Sequence, residues 1–100
     1  MYGLIGRIKA FPGQRDALTA ILLDAAREMP GCFSYVVATD DKDADTVWVT
    51  EVWDSEESHK ASLQTPRVND AIAKGKPLVA DIGDHFVTTP LGGVGLEPAG

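Results

Sequence analysis

Residues 46–53 read TVWVTEVW, and this stretch decides the fold because it forms the clearest strand pattern in the chain. Branched and aromatic residues favour β-strands. Since side chains alternate along a strand, Val47, Val49 and Trp53 share one face, while Trp48 and Val52 share the other. A strand that is apolar on both faces is covered on both. Helices can cover one face, so the other face predicts packing against a second layer, such as another sheet.

The segments on either side of this strand predict its partners. Upstream, CFSYVVAT at 32–39 predicts a strand joined to it by the charged turn 40–45. The other predicted elements are a strand over 2–11, a helix over 14–29, helices over 54–64 and 67–74, and a last strand within 78–89. Pro-Gly at 30–31 ends the first helix. Thr65-Pro66 separates the two later helices, because proline is favoured at the first position of a new helix.

The resulting β-α-β-β-α-β order is that of the ferredoxin-like α+β fold. It predicts a four-stranded antiparallel sheet with helices on one face. The opposite apolar sheet face predicts sheet-on-sheet packing between two copies, and hence a homodimer with Trp48 in the interface. Residues 1–89 are predicted to form one domain. Residues 90–100, PLGGVGLEPAG, contain four glycines and two prolines and predict a flexible tail.

Composition excludes several classes of function. The 100 residues carry 9 basic and 15 acidic side chains, a net charge of −6 at pH 7, and the basic ones are scattered. We therefore expect neither nucleic-acid binding nor attraction to anionic membranes. One cysteine and two histidines argue against a disulfide or a metal site. Arg7 and Lys9 lie where a signal peptide would have its apolar stretch, which favours a cytoplasmic protein.

The candidate catalytic residues lie in the helix after the central strand. His59 is a candidate general base at physiological pH, and the alternative is a surface or helix-capping histidine. Ser62 lies three residues later on the same helix face, where it is either a polar contact or a small packing residue.

The candidate substrate-binding residues lie on the two central strands. Trp53 is either a stacking wall for a flat ring or a core residue. Glu51 shares the face of Trp53, where it is a pocket acid or a structural acid paired with Arg7 across the sheet. Tyr35 and Phe33 share a face of their strand, and they line either the pocket or the core.

Three stretches resemble the antibiotic biosynthesis monooxygenase family, whose members are dimeric α+β barrels. They are IGRIKAFPGQRDAL at 5–18, PGCFSYVVATDDKDADTVWVTEVWDSEESHKASLQTP at 30–66, and KPLVADI at 76–82. The resemblance covers about residues 2–89. Many relatives carry a histidine four residues before the helix-breaking proline and another just after it. Here those positions are Ser62 and Arg67, and His59 lies one turn earlier.

The resemblance implies a cofactor-independent monooxygenase or oxidase. Members of the family oxidise quinols and anthrones with molecular oxygen and need neither metal nor flavin. In this chain His59 would be the base, Trp53 the stacking wall and Ser62 a polar contact, with a hydroxylated aromatic as substrate. Two alternatives stay open: an isomerase of a small carbonyl compound that uses the same base, and a non-catalytic dimeric ligand-binding or stress protein.

Overall fold

A computed structural model of the chain describes residues 1–96, and it has the predicted β-α-β-β-α-β order. The strands are β1 (Tyr2–Ala10), β2 (Cys32–Thr39), β3 (Thr46–Trp53) and β4 (Val79–Thr88). The helices are α1 (Arg15–Ala25), α2 (Glu56–Ser62) and α3 (Pro66–Gly75), and a 3-10 turn (Lys76–Leu78) leads into β4. The strands form one antiparallel sheet in the order β2-β3-β1-β4. The fold is therefore ferredoxin-like α+β, as predicted.

The helix boundaries follow local hydrogen bonding. Ser55 caps α2 because its side chain accepts from the backbone N–H of Ser58, and Thr65 caps α3 through the N–H of Val68. Helix α1 ends at Ala25, although the apolar stripe predicted an end near Met29. After Ala25 the regular helical bonding is lost, since the Arg27 N–H donates to the Asp24 carbonyl, three residues back, at 3.4 Å. Pro30 then keeps Met29 out of helical geometry, so the helix does not resume.

The core lies between the sheet and the helices. Val47 and Trp53 are the largest fully buried side chains, with exposed fractions of 0% and 1%. Ala10, Leu18, Val47 and Val49 form one packed cluster, which Leu22 and Tyr35 cover from the side. The face of β3 that the alternation assigned to Val47, Val49 and Trp53 is thus the helix-covered face.

The opposite sheet face carries a chain of polar contacts that joins β4, β1 and β3 to the turn after β2. Arg7 on β1 forms an ion pair with Asp84 on β4 at 3.2 Å, and its guanidinium lies over the Trp48 ring. The Trp48 indole N–H donates to the Asp40 carboxylate at 2.8 Å. This hydrogen bond, with those from the backbone N–H groups of Asp43 and Lys42, lowers the pKa of Asp40 to about 2.

The predicted pairing of Arg7 with Glu51 is wrong. Arg7 lies opposite Trp48 in the β1–β3 register, whereas Glu51 lies opposite Leu4. Because side chains alternate, Arg7 and Glu51 point to different faces of the sheet.

The predicted tail begins just after β4. Leu91 and Val94 are fully exposed, and a turn closes with the Leu96 N–H donating to the Gly93 carbonyl. Residues 97–100 of the predicted tail lie outside the described residues. In the part of the chain from 1 to 96, no helix has the length and apolarity needed to cross a bilayer.

Candidate active site

A cavity of about 850 Å³ lies between the helix-covered sheet face and the helices. Its volume falls in the upper part of the roughly 300–1,000 Å³ that ligand pockets usually enclose. Most of its wall is apolar, and β2, β3 and α2 contribute polar side chains to it. The apolar wall includes Ile8, Leu18, Leu22, Val68, Ile72 and Ile82. The polar and charged lining residues are Tyr35, Glu51, His59 and Ser62, together with Lys76 in the 3-10 turn and Asp81 on β4.

Glu51 and His59 form the centre of the polar region. His59 Nε2 lies 4.0 Å from Glu51 Oε1, and the two side chains are only 20% and 17% exposed. The indole N–H of Trp53 donates to the same carboxylate oxygen at 3.0 Å. Glu51 is therefore held by a neighbour two residues away on its own strand and is turned toward α2. This arrangement meets the general requirement that an acid on an apolar face be hydrogen-bonded.

Two aromatic rings hold the imidazole of His59. The Trp53 ring meets it edge to face, with centroids 5.3 Å apart, and the Tyr2 ring meets it in a tilted contact at 5.8 Å. Sequence reasoning missed Tyr2. The sequence had no local signal for it, because the contact depends on the β1–β3 register, in which Tyr2 lies opposite Trp53 and shares its face.

Ser62 lies one turn after His59 and is 6% exposed. Its hydroxyl donates to the backbone carbonyl of His59 at 2.6 Å, a local bond within the helix. The hydroxyl proton is thus directed at the helix backbone, and the oxygen of Ser62 remains able to accept a hydrogen bond in the cavity.

The two aromatic residues of β2 are separated by a β-bulge. The register shifts between Cys32 and Ser34, so that Phe33 is the extra residue, while Tyr35 lies opposite Glu51. Tyr35 lines the cavity, and Phe33 is absent from the cavity wall that residues 1–96 define. The predicted common face of Phe33 and Tyr35 is therefore interrupted, because the bulge breaks the alternation between them.

Burial, and after it the Glu51 carboxylate, raises the pKa of Tyr35, so this phenol stays protonated at neutral pH. The same two causes, in the same order, raise the pKa of the Cys32 thiol. Cys32 is therefore not an activated thiolate.

The site combines an imidazole, a carboxylate beside it and a protonated phenol in the lining of one largely apolar cavity. Such an arrangement is suited to removing a proton from a bound ligand. Among the residues that the structure describes, no three histidine, cysteine or acidic side chains cluster as a metal site would require.

Comparison with known proteins agrees with this architecture. The sequence profile of the antibiotic biosynthesis monooxygenase family matches residues 1–74. A solved structure from Chloroflexus aurantiacus J-10-fl that carries the family name is 62% identical, covers 96% of this chain and 98% of its own, and superposes with a TM-score of 0.94. One from Deinococcus radiodurans is 25% identical over the whole of both chains, with a TM-score of 0.77.

A more distant structure shares the fold alone. The protein from Nitrosomonas europaea is 13% identical, covers 91% of this chain and 99% of its own, and has a TM-score of 0.82. No curated protein matches the chain. With three quarters of the chain matched by one family profile, and with a 62% identical relative of nearly the same length, the chain belongs to the antibiotic biosynthesis monooxygenase family.

Proposed function

We propose that the protein is a cofactor-independent monooxygenase or oxidase that uses molecular oxygen on a hydroxylated aromatic substrate of the quinol or anthrone type. The observation that carries the proposal is the placement of His59 beside Glu51 in an apolar cavity, with Trp53 against both. Family membership supports an oxidoreductase, and the site provides the base that such chemistry needs.

The proposed reaction begins with a proton transfer. His59 takes the acidic proton of the bound substrate and leaves an electron-rich anion in the cavity. The protonated imidazole then faces the Glu51 carboxylate 4.0 Å away, so the separated charges are partly neutralised. The apolar wall limits access of water to the anion. Trp53 is 1% exposed, so its part in the site is to hold the Glu51 carboxylate and pack against His59, and the expected stacking wall for an aromatic substrate is not available on its ring.

The anion then transfers electrons to oxygen. A quinol and one molecule of oxygen give the quinone and hydrogen peroxide. An anthrone methylene and one molecule of oxygen give a carbonyl and water, with one oxygen atom in the product. Peroxide and water are therefore the co-products that distinguish an oxidase from a monooxygenase.

Oxygen uptake over a panel of hydroquinones and anthrones tests the proposal. We expect H59A to lose about 10²-fold or more of the wild-type rate, because a positioned general base contributes roughly 10²–10⁴-fold. The matched control is H85A, which removes an exposed histidine of β4 from outside the cavity wall and is expected to retain the wild-type rate.

The outcomes separate the parts of the proposal. If wild type consumes oxygen and H59A equals it, the oxidation stands and the base is wrong. If no substrate draws oxygen above background, the oxidation is wrong. Turnover of a carbonyl compound without oxygen would then identify an isomerase, and ligand binding without turnover would identify a binding protein.

We also propose a homodimer formed through the sheet face that the helices leave open. This face carries Ile5, Val36, Trp48, Val52 and Phe86, and both Val36 and Phe86 are 51% exposed in the single chain. Large apolar side chains exposed together on one face are typical of an interaction surface.

Sedimentation velocity tests the dimer. We expect wild type to sediment as a dimer and F86D to sediment as a monomer, because a buried unpaired carboxylate is costly. The control L23D makes a similar apolar-to-acid change at a 54% exposed position of α1, and should remain dimeric. A monomeric wild type, or a dimeric F86D, would contradict the proposal.

A further inference from the structure

The Tyr35 hydroxyl is a polar group of the cavity that the proposed proton transfer does not use. Tyr35 lies directly opposite Glu51 in the β2–β3 register, and both residues line the cavity. Directly opposite residues have Cβ atoms about 4.5–5.5 Å apart, and the Glu51 charge acts on the Tyr35 phenol by raising its pKa.

The hydroxyl of Tyr35 is free to bind a ligand. Within residues 1–96, the pKa of the Tyr35 phenol is raised by burial and by nearby charges. No hydrogen bond to its hydroxyl contributes to this shift. Every fully buried side-chain nitrogen or oxygen in that same range does have a hydrogen-bond partner. The unbonded hydroxyl is therefore not fully buried, and Tyr35 lines the cavity.

The protonation state makes this hydroxyl a donor. Burial and the neighbouring Glu51 carboxylate both raise the pKa of Tyr35, so the phenol keeps its proton across the neutral range. A neutral phenol in a desolvated site donates most strongly to an anionic oxygen, because charge-assisted hydrogen bonds are the stronger class.

We propose that the Tyr35 hydroxyl donates a hydrogen bond to the substrate oxygen that becomes negatively charged when His59 removes the proton. Tyr35 is then a catalytic residue that stabilises the phenolate or enolate, and it selects ligands that carry an ionisable hydroxyl or enolisable carbonyl. The inference rests on the proposed function, since it takes His59 as the proton acceptor.

The charges of the site favour His59 as the proton acceptor and Tyr35 as the hydrogen-bond donor. Before proton transfer, Glu51 is an anion beside a neutral imidazole. After it, the imidazolium lies 4.0 Å from Glu51, and the substrate oxygen carries the remaining negative charge. An anion near Glu51 needs a donor of its own, and a preorganised donor in a water-poor site is an effective way to stabilise such a charge. Tyr35 is the cavity hydroxyl on the strand next to Glu51.

Binding of 4-nitrophenol tests the inference without oxygen. The anion of this phenol absorbs visible light and the neutral form does not, so one titration reports both affinity and ionisation. At a pH where the free probe is mostly neutral, we expect wild type to bind it as the anion. Y35F should bind the anion about 10- to 100-fold more weakly, since a hydrogen bond to a charged group is lost. It should also show a smaller anion fraction.

The control variant is T39V, which removes a hydroxyl from an exposed residue of the same strand outside the cavity wall. It should match wild type in affinity and in anion fraction. Y35F removes one oxygen and keeps the ring that packs on the core, so its unfolding midpoint should stay close to that of T39V.

The inference is overturned if Y35F equals wild type in both readouts, or if wild type binds no ionised probe. Its failure is distinguishable from that of the proposed function. Suppose that Y35F loses the absorbance of the bound 4-nitrophenol anion, and that wild type takes up no oxygen. The role of Tyr35 as hydrogen-bond donor is then supported, and the proposed oxidation is refuted. If oxygen uptake is lost in H59A but unchanged in Y35F, the role of His59 as base is supported and the role of Tyr35 as hydrogen-bond donor is refuted.

Discussion

Trp53→Ala is expected to lower the free energy of unfolding by about 3–5 kcal/mol, the usual cost of truncating a fully buried aromatic residue. Trp53 is 1% exposed at the end of β3, so alanine leaves a cavity that the surrounding sheet and helices fill only in part. The change also removes the indole N–H that donates to Glu51 at 3.0 Å. The partly buried carboxylate then lacks its hydrogen-bond donor, which adds to the cost.

Urea unfolding at one fixed protein concentration measures this effect, since association would make stability depend on concentration. Phe11→Ala is the control, because Phe11 is a large aromatic side chain that is 48% exposed just after β1. Its truncation should cost about 1 kcal/mol or less. The description of Trp53 as a fully buried side chain that the fold depends on fails if the two variants lose equal stability.

Gly31→Ala is expected to cost about 2–5 kcal/mol and to displace α2. Gly31 has φ +85°, and a Cβ atom there would lie 2.7 Å from Ser58 Cβ and 2.9 Å from Asp54 Oδ1. A left-handed conformation costs a residue with a side chain roughly 1–2 kcal/mol, and overpacking costs about 1–3 kcal/mol. The Gly31 carbonyl also accepts from the Asp54 N–H at 2.8 Å, just before α2, so strain here reaches the helix that carries His59.

Gly13→Ala separates the two causes. Gly13 has φ +80°, yet nothing lies within 4 Å of the added Cβ atom. This variant should therefore show only the conformational cost of about 1–2 kcal/mol. Comparing the two variants by urea unfolding isolates the clash with Ser58 and Asp54. Equal losses would mean that the loop at Gly31 moves aside without strain.

The sequence was sufficient for the elements and the class of fold. The alternation in β3 correctly assigned Val47, Val49 and Trp53 to one face, and the structure covers that face with helices. Thr65 and Pro66 start α3 as expected. These features depend on side-chain alternation and on hydrogen bonds between near neighbours, which the order of residues specifies directly.

The candidate site was predictable only in part. That Glu51 and Trp53 share a face follows from their spacing. The bulge at Phe33 was not predictable, because nothing local distinguishes CFSY from an unbroken strand. Tyr2 was overlooked because its contact with His59 requires β1 to lie beside β3 in the register that places Tyr2 opposite Trp53, and these strands are far apart in the sequence.

The sequence by itself therefore determined the order of strands and helices, where most of them begin, and which residues of β3 share a face. Only the tertiary structure decided that Arg7 pairs with Asp84 and not with Glu51, and that α2 folds back over β3 to bring His59 within 4.0 Å of Glu51. The physical reason is the range of the interactions. Alternation and capping act between neighbours in the chain, whereas strand register and helix placement depend on packing between segments that are far apart in it.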